Sequence, residues 1–130
     1  MSARSAMAIS LPSCDSTLIR GVAFAAKQLR PEITIVGVQA EYAPAYALSF
    51  AKGRSICTDL ADTIADGLAV RETSEENVRE ITGLVDEFVL VSEAEMLRAM
   101  RHLMIQEHVI AEPAGAATGM RATPLPIMKT

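Results

Sequence analysis

Two short stretches, Ile33-Thr-Ile-Val-Gly-Val38 and Phe88-Val-Leu-Val91, are almost unbroken in β-branched and apolar residues. Such runs read as strands covered on both faces, because a strand with one wet face alternates apolar with polar residues. Ala8-Ile-Ser-Leu11 reads as a third strand. Elsewhere apolar residues recur at helical spacing and predict helices from Thr17 to Leu29, Ala43 to Lys52, Glu75 to Val85 and Glu93 to Glu107. Pro31 stops the first of these and Gly53 the second. Ser92 with Glu95, and Thr73 with Glu76, are spaced as capping boxes that would satisfy the free amides at two helix starts. Met96, Leu97, Met100, Leu103 and Met104 form one apolar stripe that predicts core packing for the last helix.

Strand alternating with helix implies an α/β fold, with a short, mainly parallel sheet of about three strands flanked by helices. No internal repeat is visible, and 130 residues make one domain. The ends, Met1 to Ser10 and Arg121 to Thr130, read as loose tails.

Composition narrows the function. Half of the residues are hydrophobic but only 4% are aromatic, so the core must be built from Ala, Val, Ile, Leu and Met. A net charge of -4, with no basic stripe, excludes an electrostatic nucleic-acid binder. The N-terminal run Ala6-Met-Ala-Ile9 is shorter than a signal peptide needs, and no run approaches the roughly 20 apolar residues that cross a bilayer. With Cys14 and Cys57 far apart and lacking metal-ligand spacing, the expectation is two reduced thiols in a cytoplasmic protein that does not bind membranes.

Three segments carry candidate chemistry. Ser13-Cys-Asp-Ser-Thr17 lies between a strand and a helix, where free amides and the helix dipole favour an anion; a plain N-cap by Asp15 or a serine is the competing reading. Thr63-Ile-Ala-Asp-Gly-Leu-Ala-Val70 holds a turn at Asp66-Gly67, which suits a backbone passing close to a ligand or an ordinary surface turn. Glu112, before Pro113, should be extended and open a helix, where a carboxylate is electrostatically favoured.

The second and third of these segments, with Val36-Gly-Val-Gln-Ala-Glu-Tyr-Ala-Pro-Ala45 before them, resemble the C-terminal half of the catalytic domain of threonine dehydratases. These are fold-type II pyridoxal-phosphate enzymes, a group that also holds serine racemase. The resemblance runs from Thr17 to Ala117 and implies a partial fold-type II large domain. It implies pyridoxal phosphate as cofactor, with Ser13, Cys14, Asp15, Ser16 and Thr17 at the loop that cradles the phosphate. It sets Gly67 beside the cofactor ring and Glu112 in the active-site cavity. The family's loop is rich in glycine; here those glycines are absent, and Asp15 would repel a phosphate. Gln39, Ala43 and Ala45 fall where some members hold a divalent cation, but Gln39 and Ala45 replace both charged ligands, so no metal is expected. Glu41 reads as a solvated carboxylate, and His102 and His108 as surface residues.

Family members hold the aldehyde covalently through a lysine in a Ser-X-Lys-X-Arg-Gly segment of the N-terminal half. Nothing in this chain matches that segment. Lys27, Lys52 and Lys129 read as solvated charges, and no catalytic residue is assigned. The expectation is a truncated dehydratase-like domain, inactive alone, that binds pyridoxal phosphate weakly. Complete relatives remove the β-hydroxyl of an amino acid and release ammonia and a 2-oxo acid. Two alternatives stay open: a noncatalytic module that self-associates or docks a partner, and one half of a split enzyme completed by a lysine-bearing chain. A homo-oligomer is expected, because strands apolar on both faces leave surface to cover.

Overall fold

A computed structural model describes residues 7–119 and the backbone of residues 126–127. Strand β1 (Ala8–Pro12) leads into helix α1 (Thr17–Leu29), β2 (Thr34–Ala40) into α2 (Ala45–Lys52), and β3 (Glu87–Val91) into α4 (Glu93–Gln106). A 3₁₀ turn (Asp66–Leu68) and α3 (Glu75–Leu84) fall between α2 and β3, and α5 (Pro113–Ala116) follows α4. β1, β2 and β3 are parallel and adjacent in that order, and β4 (Pro126–Ile127) pairs antiparallel with β3. This is the expected α/β architecture. The first tail differs from expectation, since a strand begins at Ala8; at the other end Pro126–Ile127 joins the sheet.

The unbroken apolar runs are explained by two cores, one on each side of the sheet. Ile35 and Phe88 face a core shared with α1, α2 and α3, which includes Ile19, Phe50 and Ile81. Val36, Val38, Val89 and Val91 face the opposite one, built with Leu68, Met96 and Ala114. The Phe50 and Phe88 rings pack tilted, with centroids 5.1 Å apart.

Local chemistry sets the helix limits. Ser92 and Glu95 form the expected capping box: Ser92 N donates to Glu95 Oε2 at 2.7 Å, and Glu95 N to Ser92 Oγ at 3.3 Å. The cap of α3 is Ser74, which accepts from Asn77 N, rather than Thr73 with Glu76. Thr73 is drawn away, its hydroxyl bonding Ser55 Oγ and the Ile56 carbonyl. α2 starts at Ala45 rather than Ala43, because the backbone turns at Ala40–Ala43 and Pro44 takes the N-cap position. Gly53, with φ +68°, ends α2 in the left-handed conformation that a glycine adopts at least cost.

Two further expectations change. The methionine stripe of α4 is only partly core: Met96 is fully buried, while Leu97 and Met104 are each 54% exposed. Met96 and Ala99 face the core from the first two turns, whereas Leu97 lies off that face and Met104 lies in the mostly exposed last turns. Lys27 is not a solvated charge, since its Nζ pairs with Asp86 at 2.9 Å and donates to the Ile33 carbonyl at 3.3 Å. Asp86 also accepts from Ile35 N at 2.7 Å and so ties α1 to the entrance of β3. Lys52 stands exposed at the end of α2, and Lys129 lies outside the described residues.

Candidate functional site

In a parallel sheet, the loops at the carboxyl ends of the strands gather at one edge, and crevices form there. The segment Ser13–Thr17 leaves β1 at that edge. Ser13 N donates to the Val38 carbonyl at 2.9 Å, which extends the β1–β2 ladder past Pro12. The buried Gln39 side chain fixes the loop: its Nε2 donates to the Ser13 carbonyl at 3.3 Å, and its Oε1 accepts from Ala47 N at 2.8 Å. Gln39 thereby serves as a long-range cap for α2. Tyr46 adds a second clamp, donating from its hydroxyl to the Asp15 carbonyl at 3.2 Å.

Ser16 stands at the start of α1 with φ +78°, a left-handed conformation that is costly for a residue with a side chain. Its hydroxyl makes no cap. The cap comes from Asp15, whose carboxylate accepts from Thr17 N at 3.0 Å and from Thr17 Oγ1 at 3.1 Å. Ser13 and Ser16 are buried to 1% exposure or less, and neither Oγ has a partner among the described residues.

Gly67 occupies the 3₁₀ turn between buried Ala65 and Leu68. The turn is held from outside by Glu93, whose Oε2 accepts from Ile64 N at 2.9 Å, and from within by Thr63 Oγ1, which accepts from Ala65 N at 3.1 Å. Asp66 is exposed, and its carbonyl accepts from Ala69 N. Glu112 is extended (φ -70°, ψ 161°) at the N-cap of α5, as expected, with Pro113 following, but its side chain caps nothing. That carboxylate turns toward Gly67: a Cβ built there would lie 3.7 Å from Glu112 Oε1.

The fold thus brings Gly67 and Glu112 together, and the Glu112 charge is felt at Cys14. Burial pushes the Cys14 thiol upward, and the carboxylates of Asp15 and then Glu112 push the same way. The edge is therefore electronegative. Among the described residues no group of three or more His, Cys, Asp or Glu is arranged to hold a metal ion. Glu41 is exposed, as are His102 on α4 and His108 just beyond it, while Ala43 and Ala45 are buried. The cap made by Gln39 could not be read from its neighbours in sequence, because Ser13 and Ala47 lie on either side of it in different elements.

Residues 3–123 match the family described as pyridoxal-phosphate dependent enzyme. This chain belongs to that family. The catabolic L-threonine dehydratase TdcB of Staphylococcus aureus (strain N315) is 44% identical over 107 residues, covering 82% of this chain and 31% of that protein. L-threonine ammonia-lyase of Thermotoga maritima is 37% identical over 106 residues, covering 82% of this chain and 26% of that one. The solved threonine deaminase isoform 2 of Solanum lycopersicum superposes with a TM-score of 0.82 at 30% identity, over 88% of this chain and 34% of its own. Maize serine racemase does so at 0.81 and 31% identity, over 88% and 35%. The chain therefore has the fold of part of a fold-type II pyridoxal-phosphate enzyme and spans about a third of the length of such relatives.

The side chains at this edge do not fit the group that gives the pyridoxal-phosphate dependent family its name. A phosphate at the start of α1 would need the amide and hydroxyl of Thr17, and the Asp15 carboxylate already holds both. Glu112 adds a second negative charge near Cys14. The two lysines among the described residues sit in the last turns of α1 and α2. The last turn of α1 lies at the opposite edge of the sheet, where Lys27 meets Asp86 and the Ile33 carbonyl, and Lys52 stands exposed.

Proposed function

We propose that this chain is a partial threonine or serine dehydratase-like domain which, by itself, neither holds pyridoxal phosphate covalently nor releases ammonia from a β-hydroxy amino acid. The placement of the lysines carries the reading. α1 has 13 residues, hence a length of about 20 Å, and Lys27 is in its last turn while the candidate site is at its first. Lys27 is also committed to Asp86 and the Ile33 carbonyl. Glu112 could relay a proton, a contribution of roughly 10²- to 10⁴-fold, which does not replace an electron sink for the substrate carbon. The free thiols of Cys14 and Cys57 support a cytosolic setting. Among the described residues no helix is long and apolar enough to cross a membrane.

The test is formation of 2-oxobutanoate from threonine, or pyruvate from serine, by the purified chain with added pyridoxal phosphate. No product is expected, and activity should return only when a polypeptide carrying the lysine half is supplied. Turnover by this chain alone, abolished by Glu112→Ala, overturns the reading.

A second reading, association with another chain, is favoured by the apolar side chains left in solvent. Leu29 is 84% exposed and Ile110 91%. The occupant proposed is a second copy of this chain or the complementary lysine-bearing half. Light scattering should show mass above that of a monomer; a monomer across a wide concentration range excludes self-association, and failure to bind the lysine half excludes the other.

A further inference from the structure

The Ser13–Thr17 turn has the backbone of an anion site and the side chain of an anion in it. The first amides of a helix have no acceptor within the helix, and the dipole adds positive potential at that end. A negatively charged group is therefore the natural occupant. Here that group comes from the chain itself: Asp15 accepts from Thr17 N at 3.0 Å and from Thr17 Oγ1 at 3.1 Å.

A different observation says that the turn is not merely a well-formed cap. Ser13 and Ser16, on either side of Asp15, are buried to 1% exposure or less, and each has an Oγ without a partner among the described residues. A buried hydroxyl without a partner loses its hydration uncompensated, so two of them around one turn are unexpected if its only task is to close a helix. Ser16 pays further for its left-handed backbone (φ +78°). The turn retains donors and a strained geometry that its present occupant does not use.

We infer that Ser13–Thr17 is an oxyanion site closed by its own carboxylate, and that Asp15 is the residue that makes it refuse phosphate. The inference deepens the reading of a domain that does not hold its family's cofactor, but it concerns a simpler ligand. Its probe is inorganic phosphate, which needs neither a lysine nor a complementary chain, so either claim can fail while the other stands. Glu112 acts in the same sense from a distance, since its charge disfavours ionisation of Cys14 within the same turn.

The experiment is a phosphate titration of the full chain at constant ionic strength, with chloride replacing phosphate in the control so that bulk screening is matched. Amide resonances of residues 13 to 19 are followed by NMR for the wild type, Asp15→Asn and Asp15→Gly. Removing one charge a few ångströms from a bound phosphate should raise affinity by about 10- to 100-fold. The wild type should show no saturable shift, Asp15→Gly a saturable one centred on Thr17, and Asp15→Asn a smaller gain, because an amide oxygen can still occupy Thr17 N. The inference is overturned if the wild type binds phosphate as tightly as Asp15→Gly. It is equally overturned if the folded glycine variant shows no response at the start of α1. Should Asp15→Gly not fold, Asp15→Asn decides alone: a gain over wild type supports the inference, and no gain overturns it.

Discussion

Gly67 lies against Ala114 so closely that a Cβ added to it would stand 3.1 Å from the Ala114 Cβ, and 3.7 Å from Glu112 Oε1. Its φ is not positive, so glycine is required here by proximity rather than by backbone conformation. Gly67→Ala gains a little by restricting the unfolded chain, about 0.4–1 kcal/mol, but must push α5 away by a few tenths of an ångström. The expected net effect is a loss of about 1 kcal/mol, seen as a lower urea midpoint with an unchanged slope. A variant more stable than wild type would show that α5 yields without cost.

A tighter contact lies inside the sheet. Gly37 is registered opposite Phe88, and a Cβ on it would sit 2.5 Å from Phe88 Cε1. Neither the ring, fully buried against Phe50, nor the strand has room to withdraw. Gly37→Ala should cost about 3 kcal/mol, at the upper end of overpacking losses. Phe88→Leu alone leaves a cavity and also destabilises. Combined, the two should cost less than the sum of their separate effects, because the smaller side chain makes the space that the methyl needs. Additive losses in urea denaturation would dismiss the steric account.

Gln39 gives the clearest case of a polar side chain in the core with both ends used. It is fully buried and joins the Ser13 carbonyl to Ala47 N. Gln39→Ala would leave that amide and carbonyl without their partner and open a void, at an expected cost of about 2–4 kcal/mol. Hydrogen exchange should accelerate at Ala47 first. If exchange there is unchanged while global stability falls, the capping role is wrong and only packing was lost.

How much of this could be read from the residues depends on how local each cause is. β2 and β3 were legible because burial on both faces writes itself as an unbroken apolar run, and the Ser92 cap because donor and acceptor are three residues apart. Thr73 was misread as a cap because its true partners, Ser55 and Ile56, are 17 or 18 residues away. Lys27 and Asp86 are separated by 59 residues, and no pattern on one helix reveals that pairing. The stripe on α4 showed which face is apolar but not how far along it something packs. At the site, Glu112 was legible as a helix start, whereas its approach to Gly67 came only through resemblance, since it depends on two loops meeting across the sheet edge.

The same edge makes the Cys14 thiol a reporter of both carboxylates. Burial raises its pKa first, then Asp15, then Glu112. An acid whose folded pKa lies above its unfolded value holds its proton more tightly in the native state. Its contribution to stability is complete below the ordinary thiol pKa of about 8.5 and is lost as pH rises through the folded value. Wild-type stability should therefore fall more steeply on the alkaline side of that point than the stability of Cys14→Ala. Chemistry gives a second readout, because the thiolate is the nucleophile. With iodoacetamide at mildly alkaline pH, part-buried Cys14 should react more slowly than exposed Cys57. Glu112→Gln removes one of the charges that oppose ionisation, so the Cys14 pH–rate curve should move to lower pH while the Cys57 curve stays in place. Asp15→Asn should move it in the same direction and further, following the order of the two charges. A Cys14 curve unmoved by Glu112→Gln would mean that this carboxylate does not reach the turn at the start of α1.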